Sequence, residues 1–366
     1  MKPILYPADE TRFITNGLGR LSEAIKCTVT EERNGLYELE MQYPITGRHY
    51  ADIAEERIIA ATHDDSGDIQ PFRIYKITRP MNGIVTVSAR HISYQLSKVT
   101  VTPFSATTPL SALLGMTLRA EGDCPFLMWT DKENTGNFSF SVPSTFRSLL
   151  GGTAGSVLDV FGPGEYEWDR FTVKFHASRG SDKAVSIRYG KNMTDVKKTT
   201  DNSNIWTGIY PYWAGTDDQE QPMLVTLPEY VLYSDVVDHF FYKMVIPVDF
   251  SSSFQTKPKE EELRNRAAAY VQANAPRAIP ESIEVSFAAL WQTEEYKDYA
   301  PLQKLKLCDV VTVYHRELGI NSKAKIVSVV YDVLLERYEK MTIGQVRANL
   351  SDTLQQIARE AVNKKP

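Results

Sequence analysis

Four stretches of the chain bring together side chains that could do chemistry. "GEYEWDRF" alternates Glu165, Glu167 and Asp169 with Tyr166 and Trp168, and paired carboxylates are the working groups of glycoside hydrolysis. "DVVDHFF" sets Asp235 and Asp238 near His239, a set able to orient a general base. "EGDCPF" holds Cys124, a nucleophile only if a histidine folds against it. "HDDSGD", from His63 to Asp68, offers ligands to a cation.

Each stretch also has a plainer reading. A strand with one wet face accounts for the carboxylates of "GEYEWDRF", and strand-edge polar residues account for "DVVDHFF". "HDDSGD" is too short for a calcium loop and falls where a hairpin needs a turn. None of the six histidines (His49, His63, His91, His176, His239, His315) sits in a His-Glu-x-x-His pattern. Cys27, Cys124 and Cys308 lack metal-type spacing, and Cys27 reads as a small buried hydrophobe near Ile25 and Val29. The sequence thus assigns no catalytic residue, no metal site and no cofactor. "WTGIYPYW" could stack Trp206, Tyr210, Tyr212 and Trp213 on a glycan, although a buried chain junction explains it more simply.

The elements around these residues are mostly strands. Ile25, Cys27 and Val29 alternate with polar neighbours, as do Tyr37, Leu39, Met41 and Tyr43, and Asn34-Gly35 between them predicts a type I′ hairpin turn. "RIIAAT", "PFRIYKITR" and "IVTVSAR" continue the β pattern. Thr108-Pro109 caps a short helix, and "KPKEEELRNRAAAYVQAN" predicts a longer one with Leu263, Ala267 and Tyr270 on one face. Leu350, Leu354, Ile357 and Ala361 are spaced as a coiled-coil seam, or as the apolar face of a docked helix, over 347–366.

Composition narrows the function. The 366 residues are 42% hydrophobic, enough for several packed cores. A net charge of −5 without a basic run argues against a phosphate-binding surface, so no sequence-specific nucleic-acid binding is expected. No apolar run spans a bilayer, and "MKPILYPADETRF" does not read as a secretory leader, so synthesis in a reducing cytoplasm is expected.

One internal comparison stands out. "ERIIAA…QPFRIYKITRP…GIVTVSAR" and "CDVVTV…SKAKIVSVVYD…RYEKMTIG" place corresponding strands near Ile58 and Val310, Arg73 and Lys325, and Ile84 and Tyr338, at offsets of 252, 252 and 254. Either one β module occurs twice, or the spacing is that of any two antiparallel sheets.

"LKLCDVVTVYHRELGINSKAKIVSVVYDVLLERYEKMTIGQVRANL" resembles the closing barrel of the prophage endopeptidase tail family, the tail-associated lysin (Tal) hubs of siphophages. "NGLGRLSEAIKCTVTEERNGLYELEMQYP", "QPFRIYKITRPMNGIVTVSARHISYQLS" and "GSVLDVFGPGEYEWDRFTVKFHASRGSDKAVSIRYGKNMTDV" resemble it in the same order. The resemblance implies a mainly β fold with α/β insertions, like the central baseplate hub of contractile phages. It implies two tail-tube-like antiparallel β-barrels, the second discontinuous, at 1–100 and at 205–245 with 300–346. Peripheral inserts would fall at 101–204 and 246–299. The implied protein is a homotrimeric structural hub at the virion tail tip. Its partners would be a six-fold distal tail protein ring, the tail tube or tape-measure protein, and three-fold fibre or lytic modules. Relatives usually continue into such modules, whereas this sequence ends at Pro366, so the lytic activity in the family's name is not expected of these residues. A peptidoglycan hydrolase with its site in 101–204, and a cell-wall glycan binder, are the alternatives.

Overall fold

The computed structural model describes residues 2–188, 193–200, 205–216, 221–235, 237–254, 256–275, 281–287, 305–317 and 320–344. The expected helix over 347–366, with Leu350, Leu354, Ile357 and Ala361, lies outside them. The fold is mainly β. The chain divides into two compact units, residues 1–198 with 283–366, and residues 199–282.

The first unit is organised by a sheet of thirteen strands among the described residues, in which one pattern occurs twice. The first run has the order Lys26–Glu32, Tyr37–Pro44, Ile84–His91, Ile69–Thr78, Ile58–Thr62. The second has the order Met193–Thr200, Glu281–Phe287, Arg337–Gly344, Ile320–Asp332, Val310–His315. Sequence order and sheet order match strand for strand. The two runs are joined because Ile320–Asp332 also pairs with Lys26–Glu32, Ser328 opposite Glu32 and Asp332 opposite Thr28.

The register repeats as well as the order. Ile58 faces Arg73, and Val310 faces Lys325. A bulge interrupts the ladder between Ile74 and Lys76, and another between Ile326 and Ser328. Side-chain alternation reverses after a one-residue slip, so a bulge at the same place preserves the same inward face in both runs. Strand order, register and bulge therefore recur together in the two runs.

The inward faces follow the expected alternation. Cys27, Val29, Leu39, Met41, Val85, Val87 and Ala89 are buried in the first run, and Val311, Val313, Val329, Met341 and Ile343 in the second. Within 101–180, Thr108 caps the Pro109–Leu118 helix by accepting the Ser111 N–H at 3.2 Å, and Leu127–Thr130, Thr172–His176 and Glu165–Asp169 form a small sheet.

The second unit corrects one grouping. Gly208–Thr216, expected to join residues 300–346 in a barrel, pairs instead with Pro222–Thr226, Leu232–Tyr233 and Val245–Asp249. Its Ile209 and Trp213 share a core with Leu263, Ala267 and Val271 of the Glu260–Asn274 helix. Conversely, Asp182–Arg188 and Met193–Thr200, expected in the insert, belong to the large sheet. Alternation reveals a strand and its buried face but not its neighbour.

Candidate functional site

The hairpin at Asn34 is where the first sheet meets the insert. Asn34 has φ +56°, in the left-handed region, and the turn is closed by the Gly35 N–H donating to Glu32 O at 3.1 Å. Type I′ geometry would put Gly35 there too; only Asn34 is, so the expected turn type is corrected. The Asn34 amide explains the choice. Its Nδ2 donates to Gly164 O at 2.9 Å and its Oδ1 accepts the Tyr166 N–H at 2.7 Å. Gly164 has no room for a side chain, since a Cβ would stand 2.4 Å from the Phe175 ring.

Charges surround this turn. Arg33 donates to Glu165 at 3.3 Å, and Lys325 Nζ reaches both oxygens of Glu165 at 2.9 Å. The Arg179 N–H donates to Glu165 Oε2 at 2.6 Å, while the Arg179 guanidinium donates to Glu31 Oε1 at 2.8 Å. His63 Nδ1 lies 3.3 Å from the other Glu31 oxygen. The cluster thus ties the first run (Glu31, Arg33), the insert (Glu165, Arg179) and the second run (Lys325).

Its electrostatics favour fixed ion pairs. Burial alone would raise the Glu31 pKa, but Arg179 and the His63 hydrogen bond outweigh it and hold the carboxyl down at about 2. Hydrogen bonds from His176 (2.8 Å) and Lys174 (2.9 Å) bring Glu167 to about 2, against a smaller burial penalty. The carboxylates of "GEYEWDRF" are therefore not a wet strand face as expected: Glu165 is buried, and all three are salt-bridged. A glycosidase acid needs a carboxyl raised to hold its proton, and Glu167 and Asp169 are both shifted downwards.

The other candidates stay apart. Burial pushes the half-buried Cys124 thiol up, the opposite of an activated nucleophile. Asp235 and Asp238 are exposed, and the side chain of His239 is outside the described residues. Asp64 of "HDDSGD" accepts the Ser66 N–H at 2.8 Å, a local turn bond, and pairs with Lys306 at 3.1 Å. Among the described residues no cluster of three metal-ligating side chains occurs, and no helix is long and apolar enough to cross a membrane. Trp206 and Trp213 are buried in the core of the second unit, so neither offers a stacking face for a sugar.

This arrangement is a clamp between the two runs and the insert. The model of the prophage endopeptidase tail family matches residues 181–354. The prophage tail protein gp18 from Listeria monocytogenes EGD-e is similar in structure, with a TM-score of 0.60 at 14% identity over 98% of this chain and 99% of that one. The 43 kDa tail protein of prophage MuSo2 from Shewanella oneidensis gives a TM-score of 0.59 at 10% identity, over 96% and 100%. A tail protein from Neisseria meningitidis MC58 gives 0.57 at 9%, over 96% and 98%. The search of curated proteins found no match. The prophage-tail region contains the second run's Val310–His315, Ile320–Asp332 and Arg337–Gly344 strands, hence Lys325 of the clamp.

Sequence reasoning missed Glu31, Arg33, Arg179 and Lys325 as a group, because 294 residues separate the first from the last. Arg147 was missed as well. It is fully buried, with its guanidinium 4.2 Å from the Tyr94 ring and 5.0 Å from that of Trp168. A lone Arg in "STFRSLL" gives no such signal.

Proposed function

We propose that the protein is a structural hub at the phage tail tip, which closes the tail tube and adapts a six-fold distal tail ring to three-fold fibre or lytic parts. The observation that carries this reading is the duplicated module, with strand order, register and bulge all repeated. Three chains of two modules present six nearly equivalent surfaces to a ring and three copies of everything else. The salt-bridged clamp suits that role, because it fixes the two modules against the insert instead of leaving a reactive group exposed. Gly180, at φ +79°, packs against the Cys308 carbonyl so closely that a Cβ there would lie 2.3 Å away.

On this reading the chain is a homotrimer in the virion tail, assembled in the host cytoplasm. It acts without cofactor, and its partners are the distal tail ring, the tube or tape-measure protein, and downstream modules. Native mass spectrometry of the protein mixed with the tail ring tests it: three chains per ring are expected. A chain that remains monomeric beside the ring, or forms only a dimer, overturns it.

A further inference from the structure

The duplication leaves one pairing unrepeated. Within the chain, the first module's Lys26–Glu32 strand adds to the second module's Ile320–Asp332 strand, antiparallel, from Ser328 opposite Glu32 to Asp332 opposite Thr28. The ladder is flanked by Arg33 N–H to Val327 O at 2.8 Å and Val333 N–H to Cys27 O at 2.9 Å. In the first module the corresponding strand is Ile69–Thr78, and Ser328–Val330 correspond to Lys76–Thr78. Among the described residues no strand pairs with that side of Lys76–Thr78. The second module's counterpart of Lys26–Glu32 is Met193–Thr200, which ends the sheet and pairs only with Glu281–Phe287 among the described residues. One module has an edge without a strand, and the other a strand without an edge.

We infer that Met193–Thr200 of one chain adds to the Lys76–Thr78 edge of a second copy, repeating between chains the pairing made within each. The inference rests on the hub reading for closure of the resulting ring. Antiparallel ladders alternate bonding and non-bonding positions. The flanking bonds put Val327, Val329, Tyr331 and Val333 on the bonding side, so Ile77 and Arg79 are the corresponding donors in the first module. Pro80 corresponds to Asp332, a non-bonding position, and its missing N–H leaves the ladder intact. Lys76, Thr78 and Arg79 are exposed and Ile77 is half-buried, as an open edge requires. Because the two surfaces differ, the contact is head-to-tail, and it ends only by closing a ring.

Variants of the whole chain with one introduced cysteine test the seam, in a Cys124→Ser background that keeps only the buried Cys27 and Cys308. Thr78→Cys is mixed in turn with Asp195→Cys, Val196→Cys or Lys197→Cys and oxidised at assembling concentrations. Strand neighbours lie within disulfide reach, so a disulfide dimer is expected on mixing with at least one partner and from no variant alone. Ile77→Pro, which removes an outward donor, is expected to shift assembly to roughly tenfold higher concentration per lost hydrogen bond, while Ile77→Val, which trims the same core contact but keeps the donor, assembles normally. Trimers without the mixed disulfide overturn the seam and leave the hub standing, as does a Thr78→Cys chain that links to itself or to another tail protein. A chain that stays monomeric beside the tail ring overturns both.

Discussion

Glu56 and Cys308, 252 residues apart, hold the same left-handed backbone, with φ of +69° and +71°. The Glu56 N–H donates to Ile74 O at 2.9 Å, and the Cys308 N–H donates to Ile326 O at 2.9 Å. The Ile74 N–H returns to Arg57 O, and the Ile326 N–H to Asp309 O, both at 2.9 Å. Each module therefore enters its strand through the same strained corner. Neither residue is glycine, and left-handed backbone costs other residues about 1–2 kcal/mol.

The two corners should respond differently to glycine. The Glu56 side chain is 71% exposed, in a long ion pair to Arg73 at 3.9 Å, so Glu56→Gly removes strain and loses little. A gain of about 0.5 kcal/mol is expected after glycine's greater flexibility is subtracted. Cys308 is fully buried, so Cys308→Gly gives up packing and should destabilise. Thermal melts of the two variants check the opposite signs.

Asn34 serves two purposes that can be separated. Asn34→Gly keeps the left-handed turn but loses the bonds to Gly164 and Tyr166, at a cost of about 1–3 kcal/mol. Asn34→Ala adds the backbone penalty, roughly 1 kcal/mol more. Equal melting temperatures for the two variants would show that the conformation at Asn34 contributes nothing.

Acid should destabilise the protein in two stages. Burial lowers the pKa of His91 from 6.5 to about 3. Below 6.5 the unfolded chain therefore takes up a proton that the folded chain refuses, and stability falls as pH drops towards 3. Glu31, lowered from 4.5 to about 2, contributes stability that is present above 4.5 and lost as pH falls towards 2. Urea titrations from pH 7 to pH 3 should show both stages. Glu31→Gln shrinks the second, which Glu167 shares, and leaves Arg179 without its carboxylate, costing about 3 kcal/mol at neutral pH.

The hairpins, the capped helix and the apolar face of Glu260–Asn274 were legible because they follow from local rules of period, turn and cap. The repeat of strand order was legible as spacing, since the strands keep their offsets, but the matching register and bulge were not. The partner of Gly208–Thr216 was not legible, because its alternation fits any sheet that buries Ile209 and Trp213. Nor was the clamp, since Glu165 between Gly164 and Tyr166 says nothing about a lysine brought to it by tertiary folding, as Lys325 is.

No muropeptide release above a buffer control is expected from purified protein on Gram-positive cell walls. The carboxylates at 165, 167 and 169 are held in salt bridges, and the thiol of Cys124 is pushed up rather than down. Reproducible release that disappears in Cys124→Ser or His239→Ala would make the hydrolase reading the better one.

The final test concerns residues 347–366, whose spacing fits either a coiled-coil seam, which on the hub reading would seed the three-fold stalk, or a docked helix. Leu350, Leu354, Ile357 and Ala361 recur at intervals of four, three and four, the alternation that keeps a seam on one side of a helix. Two heptads are too short to associate alone, so on the hub reading a stalk would need the modules to hold three chains together first. Leu354→Asp places a charge in that seam. It should weaken trimer formation with the tail ring while the far-UV circular dichroism and melting temperature of the monomer stay unchanged. A helix docked on its own module gives the opposite pattern, with a lower monomer melting temperature and normal assembly. Ile77→Pro separates the two contacts further. If the sheet seam and the stalk are independent, the double variant should lose the sum of the two single losses in assembly free energy.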